Sequence, residues 1–124
     1  MENEIQNIVA DFINRRPTMR EHDTPHNVAY HLRGEIEEML AELWTEEPTP
    51  EHIEKVKSEL ADIVIYCATM ASVLGLDMEY IVKEKLAINE KRFPEELFKD
   101  GDFMEAYTAR KRELKEWKDD DTFS

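Results

Sequence analysis

Apolar residues recur at helical spacing along most of the chain. From Glu4 to Asn14 they fall at Ile5, Ile8, Val9, Phe12 and Ile13, which predicts an amphipathic helix ending near Arg15, ahead of Pro17. Pro17 to Pro25 is polar and reads as a linker. Thr24 followed by Pro25 is an N-cap with proline in the first helical position, opening a second helix towards Trp44 with the stripe Val28, Leu32, Ile36, Met39, Leu40 and Leu43. After a turn with two prolines, Thr49-Pro50 starts a third helix through Ile53, Val56, Leu60, Ile63, Val64, Cys67 and Leu74, stopped at Gly75. Asp77 is placed to cap a fourth helix from Met78 to about Arg92, which Pro94 ends. A fifth is expected over Asp102 to Trp117, with Phe103, Tyr107, Leu114 and Trp117 on one side, and Asp119 to Ser124 is expected to fray. There is no strand-period alternation and no internal repeat. The fold class predicted is all-α, a four- to five-helix bundle.

The third helix changes this picture. From Leu60 to Leu74 it is apolar on nearly every side, with Asp62 its only charge, and such a helix must be buried all round. Four or five short helices hardly enclose it, so the chain is expected to associate with copies of itself, as a homodimer or homotetramer, with this helix near the shared core. The charge-free stretch from Ile63 to Leu76 is too short for a bilayer span, and no membrane partner is expected. The N-terminus lacks the features of a signal peptide, and a single Cys67 offers no disulfide framework, which points to the cytoplasm.

Composition sharpens the question. With 41% apolar and 36% charged residues and only 3 Gly and 5 Pro, the 124-residue chain suits one compact helical fold. A formal net charge of −13 repels a phosphate backbone, so long nucleic acid is excluded as a partner. What matters is whether the acids are organised. Carboxylates three apart share a helix face, but with nearly a quarter of residues acidic, chance supplies about six such pairs and the chain has about six. Spacing decides nothing and context must. Glu51/Glu54, Asp102/Glu105, Glu113/Glu116 and Glu116/Asp119 lie where solvent is expected. Asp62, flanked by Leu60, Ile63, Val64, Ile65 and Tyr66, has no polar neighbour, and burying an unpaired carboxylate costs several kcal/mol.

Glu59 sits one turn before Asp62, and Glu35 and Glu38 lie on the preceding helix, which the short turn makes its antiparallel neighbour. At about 6 Å and an effective dielectric near 20, each converging pair would repel by roughly 3 kcal/mol. Two remedies stay open: a divalent cation, or a buried Asp–Arg or Asp–Lys pair. Oxygen-only ligands favour Mg2+, with Mn2+ as substitute, over zinc. The Glu-x-x-His of ferritin-like di-iron sites is absent. On the fourth helix the expected inward face of Met78, Ile81 and Val82 continues to Lys85, Asn89 and Arg92, cations and an amide suited to phosphate.

These residues carry a family resemblance. Thr24-Pro25-His26-Asn27, Gly34-Glu35-Ile36-Glu37-Glu38, Glu59-Leu60-Ala61-Asp62 and Lys85-Leu86-Ala87-Ile88-Asn89-Glu90-Lys91-Arg92-Phe93-Pro94 resemble the MazG-like, all-alpha nucleoside triphosphate pyrophosphohydrolases, in the order E-x-x-E, E-x-x-D, then Lys and Asn or Arg. The Pro-x-Asn is most similar to the dCTP pyrophosphatase branch. The resemblance implies a helical catalytic domain over 1–94, with core motifs at 24–94, and a C-terminal extension over 95–124. It implies that Glu35, Glu38, Glu59 and Asp62 bind magnesium, that Glu35 or Glu38 serves catalysis, and that Lys85, Asn89 and Arg92 contact phosphates. Asn27, His31 and Trp44 are candidates for touching base or sugar. The chain departs from the family pattern at Glu37, where a small residue is common, at His26, where Arg is frequent, and at Trp44, one position before the usual aromatic. The implied activity converts a (deoxy)nucleoside triphosphate and water to monophosphate and pyrophosphate, clearing excess or non-canonical nucleotides. The alternatives are a phosphoribosyl-ATP pyrophosphohydrolase-like enzyme and a non-enzymatic helical module that binds a nucleotide or a partner.

Overall fold

The structure is a computed structural model and describes residues 3–45 and 47–116. Helices follow one another as α1 (Glu4–Asn14), α2 (Pro17–His22), α3 (Pro25–Glu42), α4 (Pro50–Val73), α5 (Met78–Arg92) and α6 (Phe103–Glu116), with a 3-10 turn at Glu95–Phe98, and no strand occurs among the described residues. The all-α class is as the sequence predicts. Trp117 and the acidic tail from Asp119 lie outside the described residues.

The segment read as a linker is in part helix. Pro17 at the first position of α2 has the φ and the missing N–H that a helix start tolerates, so a polar stretch still forms one and a half turns. The other starts follow their caps. Thr24 accepts the Asn27 N–H, and Thr49 forms a reciprocal box with His52, each preceding a proline at the first helical position. Gly75 ends α4 at φ +70, with Leu76 N–H donating to the Ala71 carbonyl at 2.7 Å, a left-handed stop that favours glycine.

Two compact units divide the chain, Met1–Glu79 and Tyr80–Ser124, with the division inside α5. In the first, α3 packs along α4, α1 packs along α4 on its own account, and α2 packs on α1. Val9 and Ile13, one turn apart on α1, meet Ala68 of α4, and Met78 closes the cluster. The small residues Ala68, Thr69 and Ala71 are the buried positions of α4, which lets α1 approach closely, and Val28 of α3 is 0% exposed. Side chains of α1 and its N-cap hold the start of α5. Gln6 Oε1 accepts the Met78 N–H at 2.7 Å and Asn3 Oδ1 accepts the Glu79 N–H at 2.9 Å, satisfying donors that a helix start leaves open.

The expectation that α4 is buried all round is not met within one chain. Leu60 and Leu74 are each 52% exposed, and Ile65 and Val73 are also open, because α1 and α3 cover only part of the helix circumference. Ile81 and Val82, predicted to face inward with Met78, are exposed. The first turn of α5 is held by polar bonds from α1, and the residues from Tyr80 onward belong to the second unit, whose buried side chains among the described residues are Arg110 and Leu114 of α6.

In that second unit Phe93 and Tyr107 stack with centroids 5.5 Å apart, Phe103 stacks on Tyr107 at 5.4 Å, and Phe98 meets both Phe93 and Phe103. Buried Arg110 of α6 donates to the carbonyls of Lys91 and Arg92, capping the C-terminus of α5, and pairs with Glu113 at 2.9 Å.

Candidate metal centre

Glu35, Glu38 and Glu42 fall at i, i+3 and i+7 on α3, and Glu59, Asp62 and Tyr66 do the same on α4, so each helix turns a row of polar groups along one face. The packing of α3 on α4 brings the two rows together. Glu35, Glu59 and Asp62 are half-buried and Glu38 is exposed. Partial burial raises the Glu35 carboxyl above its usual range, reinforced by the charges of Glu38 and Asp62, a hydrogen bond to Glu38 and the charge of Glu59. Glu59 is raised likewise by burial, then by Glu38, Glu42 and Asp62, with Lys55 opposing. Each helix thus feels the acids of the other.

A cation among these carboxylates would offset their mutual repulsion. Glu59 Oε1 is buried without a hydrogen-bond partner among the described residues. Among the described residues no three His, Cys, Asp or Glu side chains stand close enough together to hold one ion. The donor chemistry, all oxygen and three of four groups half-buried, suits a hard divalent cation that keeps some of its waters. The second remedy open to Asp62, a buried pair with Arg or Lys, is absent from the ion pairs of the described residues; Lys55 instead pairs with Glu42 at 3.8 Å across the two helices.

Glu42, Lys55 and Tyr66 are neighbours of the acids that sequence reasoning did not single out. The signal was present, since Glu42 lies one turn beyond Glu38 and Tyr66 one turn beyond Asp62 on the same faces. Tyr66 holds its phenolic proton more tightly than usual because of burial and the nearby charges of Glu35, Asp62 and Asp23.

In the second unit, Lys85 is exposed while Asn89 and Arg92 are half-buried. Asn89 Oδ1 and Arg92 Nε are buried without hydrogen-bond partners among the described residues. The Arg92 guanidinium lies 5.2 Å from the centre of the Phe93 ring, which orients it without using that N–H.

The three base or sugar candidates are placed differently from one another. Asn27 spends its Nδ2 on the His22 carbonyl at 2.7 Å and its main-chain N–H on Thr24. His31 stacks on Tyr66 with centroids 5.8 Å apart, one turn from Glu35. Trp44 is 87% exposed beyond the end of α3.

The acidic rows lie on the packed α3 and α4 of the first unit, and Lys85, Asn89 and Arg92 lie on the part of α5 in the second. A family model described as MazG-like matches residues 32–107, which span all seven of the metal and phosphate candidates. The chain belongs to the MazG-like family, whose members are in general nucleotide pyrophosphohydrolases. No curated protein matches the chain.

Proposed function

We propose that the protein is a magnesium-dependent nucleoside triphosphate pyrophosphohydrolase, releasing monophosphate and pyrophosphate, with a deoxynucleotide of the dCTP kind as the substrate class that Pro25-His26-Asn27 suggests. One observation carries the reading. The buried side-chain atoms that lack hydrogen-bond partners among the described residues belong to Glu59, Asn89 and Arg92, and all three were assigned from sequence to metal or phosphate. Buried polar groups are almost always satisfied, so a set of orphans confined to these positions calls for a partner the chain does not supply.

Glu35, Glu38, Glu59 and Asp62 hold Mg2+, for which Mn2+ substitutes, and the ion supplies a water of lowered pKa and neutralises phosphate charge when bound. Glu38, the most accessible of the four, orients the attacking water, with Glu35 the other candidate for that role. Lys85, Asn89 and Arg92 bind the polyphosphate and offset charge on the departing pyrophosphate. The exposed Leu60, Ile65 and Leu74 of α4 support association of copies, as a homodimer or homotetramer, and the setting is cytoplasmic clearance of excess or non-canonical nucleotides.

Incubation with magnesium and a panel of ribo- and deoxynucleoside triphosphates tests the reading. Monophosphate and pyrophosphate should appear in equal amounts, and Glu38→Gln and Asp62→Asn should each abolish turnover. Release of single orthophosphate would make the protein a phosphatase, and no magnesium-dependent nucleotide binding by calorimetry would make it a non-enzymatic module. A monomeric mass by light scattering at micromolar concentration would remove the association.

A further inference from the structure

The His22 and His31 rings approach with Nε2 to Nε2 at 3.0 Å. They come from different elements, α2 and α3. His31 is half-buried and lies against Tyr66 at an interplanar angle of 16°. The His22 main-chain carbonyl is tied to Asn27 Nδ2 at 2.7 Å. His31 is thus fixed at its ring and His22 at its backbone, and the two Nε2 atoms meet at one point. One proton between the nitrogens satisfies both.

We propose that His22 and His31 form a chelating pair for a divalent transition-metal ion of the Ni2+ or Cu2+ class, separate from the carboxylate centre. The separation sets the geometry. With metal–nitrogen bonds of about 2.0–2.1 Å, as imidazole makes to zinc and its neighbours, 3.0 Å subtends about 91–97° at the ion, close to the angle of adjacent ligands in square-planar or octahedral coordination. A tetrahedral ion would need the nitrogens further apart. Imidazole is a borderline ligand that magnesium does not compete for, so the ion selects this pair by donor type and the acids by hardness. Water completes the coordination. Replacing the shared proton balances without loss of protons: each neutral imidazole keeps one N–H, which moves to Nδ1 in the ring that donated through Nε2. The surroundings favour a cation, since Asp23 follows His22 in the chain and its charge, with those of Glu35 and Asp62, reaches Tyr66 directly beneath His31.

Titrating the full chain with NiCl2 by calorimetry in excess magnesium tests the pair. One equivalent should bind, and His22→Gln and His31→Gln should each weaken binding by about tenfold or more, since even loss of a second-shell partner costs that much. Glu59→Gln should leave the affinity unchanged, which separates this site from the proposed magnesium centre. By NMR, substoichiometric Ni2+ should broaden the ring signals of His22 and His31 and spare those of His26 and His52. Equal Ni2+ affinity in the wild type and both histidine variants, broadening of all four histidines alike, or loss of binding in Glu59→Gln alone would overturn the assignment.

Discussion

Glu35→Gln should make the ion-free protein more stable near neutral pH while impairing turnover. Glu35 lies half-buried among Glu38, Glu59 and Asp62, and its carboxyl is raised above the usual range of about 4.5 by burial first and these neighbours next. A raised folded pKa means that the native state binds the proton more tightly than the unfolded chain. The stability contributed by that proton is fully present below the unfolded pKa and is lost as pH rises through the folded one, so at neutral pH the native state carries an uncompensated penalty. Glutamine keeps the shape and removes the charge. The site is open to water, so the gain is that of screened charges, about 1 kcal/mol and not the several that a dry interior would give. For a compact unit of this size about 1 kcal/mol raises Tm by about 4–8 °C. Magnesium should act on the wild type in the same direction, by about 1.4 kcal/mol at ten times its Kd, and much less on the variant. Thermal melts followed by far-ultraviolet circular dichroism, with EDTA or magnesium at neutral and at acid pH, check all of this. The reasoning is refuted if the variant melts below the wild type in EDTA at neutral pH, or if its advantage is the same under acid conditions, where both side chains are uncharged.

Three further outcomes follow from the packing and the orphaned groups. Val28→Ala removes two methyl groups from a position with no exposure and should destabilise the first unit by about 2 kcal/mol, read as an earlier denaturant midpoint at unchanged m. Arg110→Ala strips the carbonyls of Lys91 and Arg92 of a charged donor and should cost about 2 kcal/mol, read as faster amide exchange over Phe93 to Tyr107. Asn89→Ala should lower kcat about 100-fold for the triphosphate, with little change in Tm because its Oδ1 bonds nothing in the ion-free chain; a large Tm loss would mark it as structural instead.

The helices were legible because their ends are written in local chemistry. Thr24-Pro25, Thr49-Pro50 and Gly75 act on the backbone within a few residues: α3 and α4 start at the first two signals and α4 ends at the third. The α2 helix was not, since six residues carry too little apolar periodicity to show through a polar composition, and only Pro17 marks its start. Asp62 stood out for want of a polar flank. What could not be read is the partner of a side chain in another element: His22 meeting His31, Glu42 meeting Lys55, and Gln6 and Asn3 reaching the start of α5 all depend on how helices far apart in sequence are packed. The inward face drawn for α5 failed for the same reason. Periodicity says that Ile81 and Val82 lie near Met78, but not which of them another element covers.

The same fact accounts for the stability penalty and for the site. Charges that repel across α3 and α4 stay on neighbouring helices because the packing of α3 along α4, with Val28 of α3 wholly buried, opposes their repulsion. That packing keeps the two acidic rows on neighbouring helices, so an ion of the proposed kind would spend no binding energy on assembling them. A design that relaxed the repulsion by letting α3 and α4 part would melt higher without metal and bind it more weakly. Glu35→Gln and Val28→Ala probe opposite sides of this balance: the first should raise Tm and lower magnesium affinity, and the second should lower both, because it loosens the scaffold and leaves the charges intact.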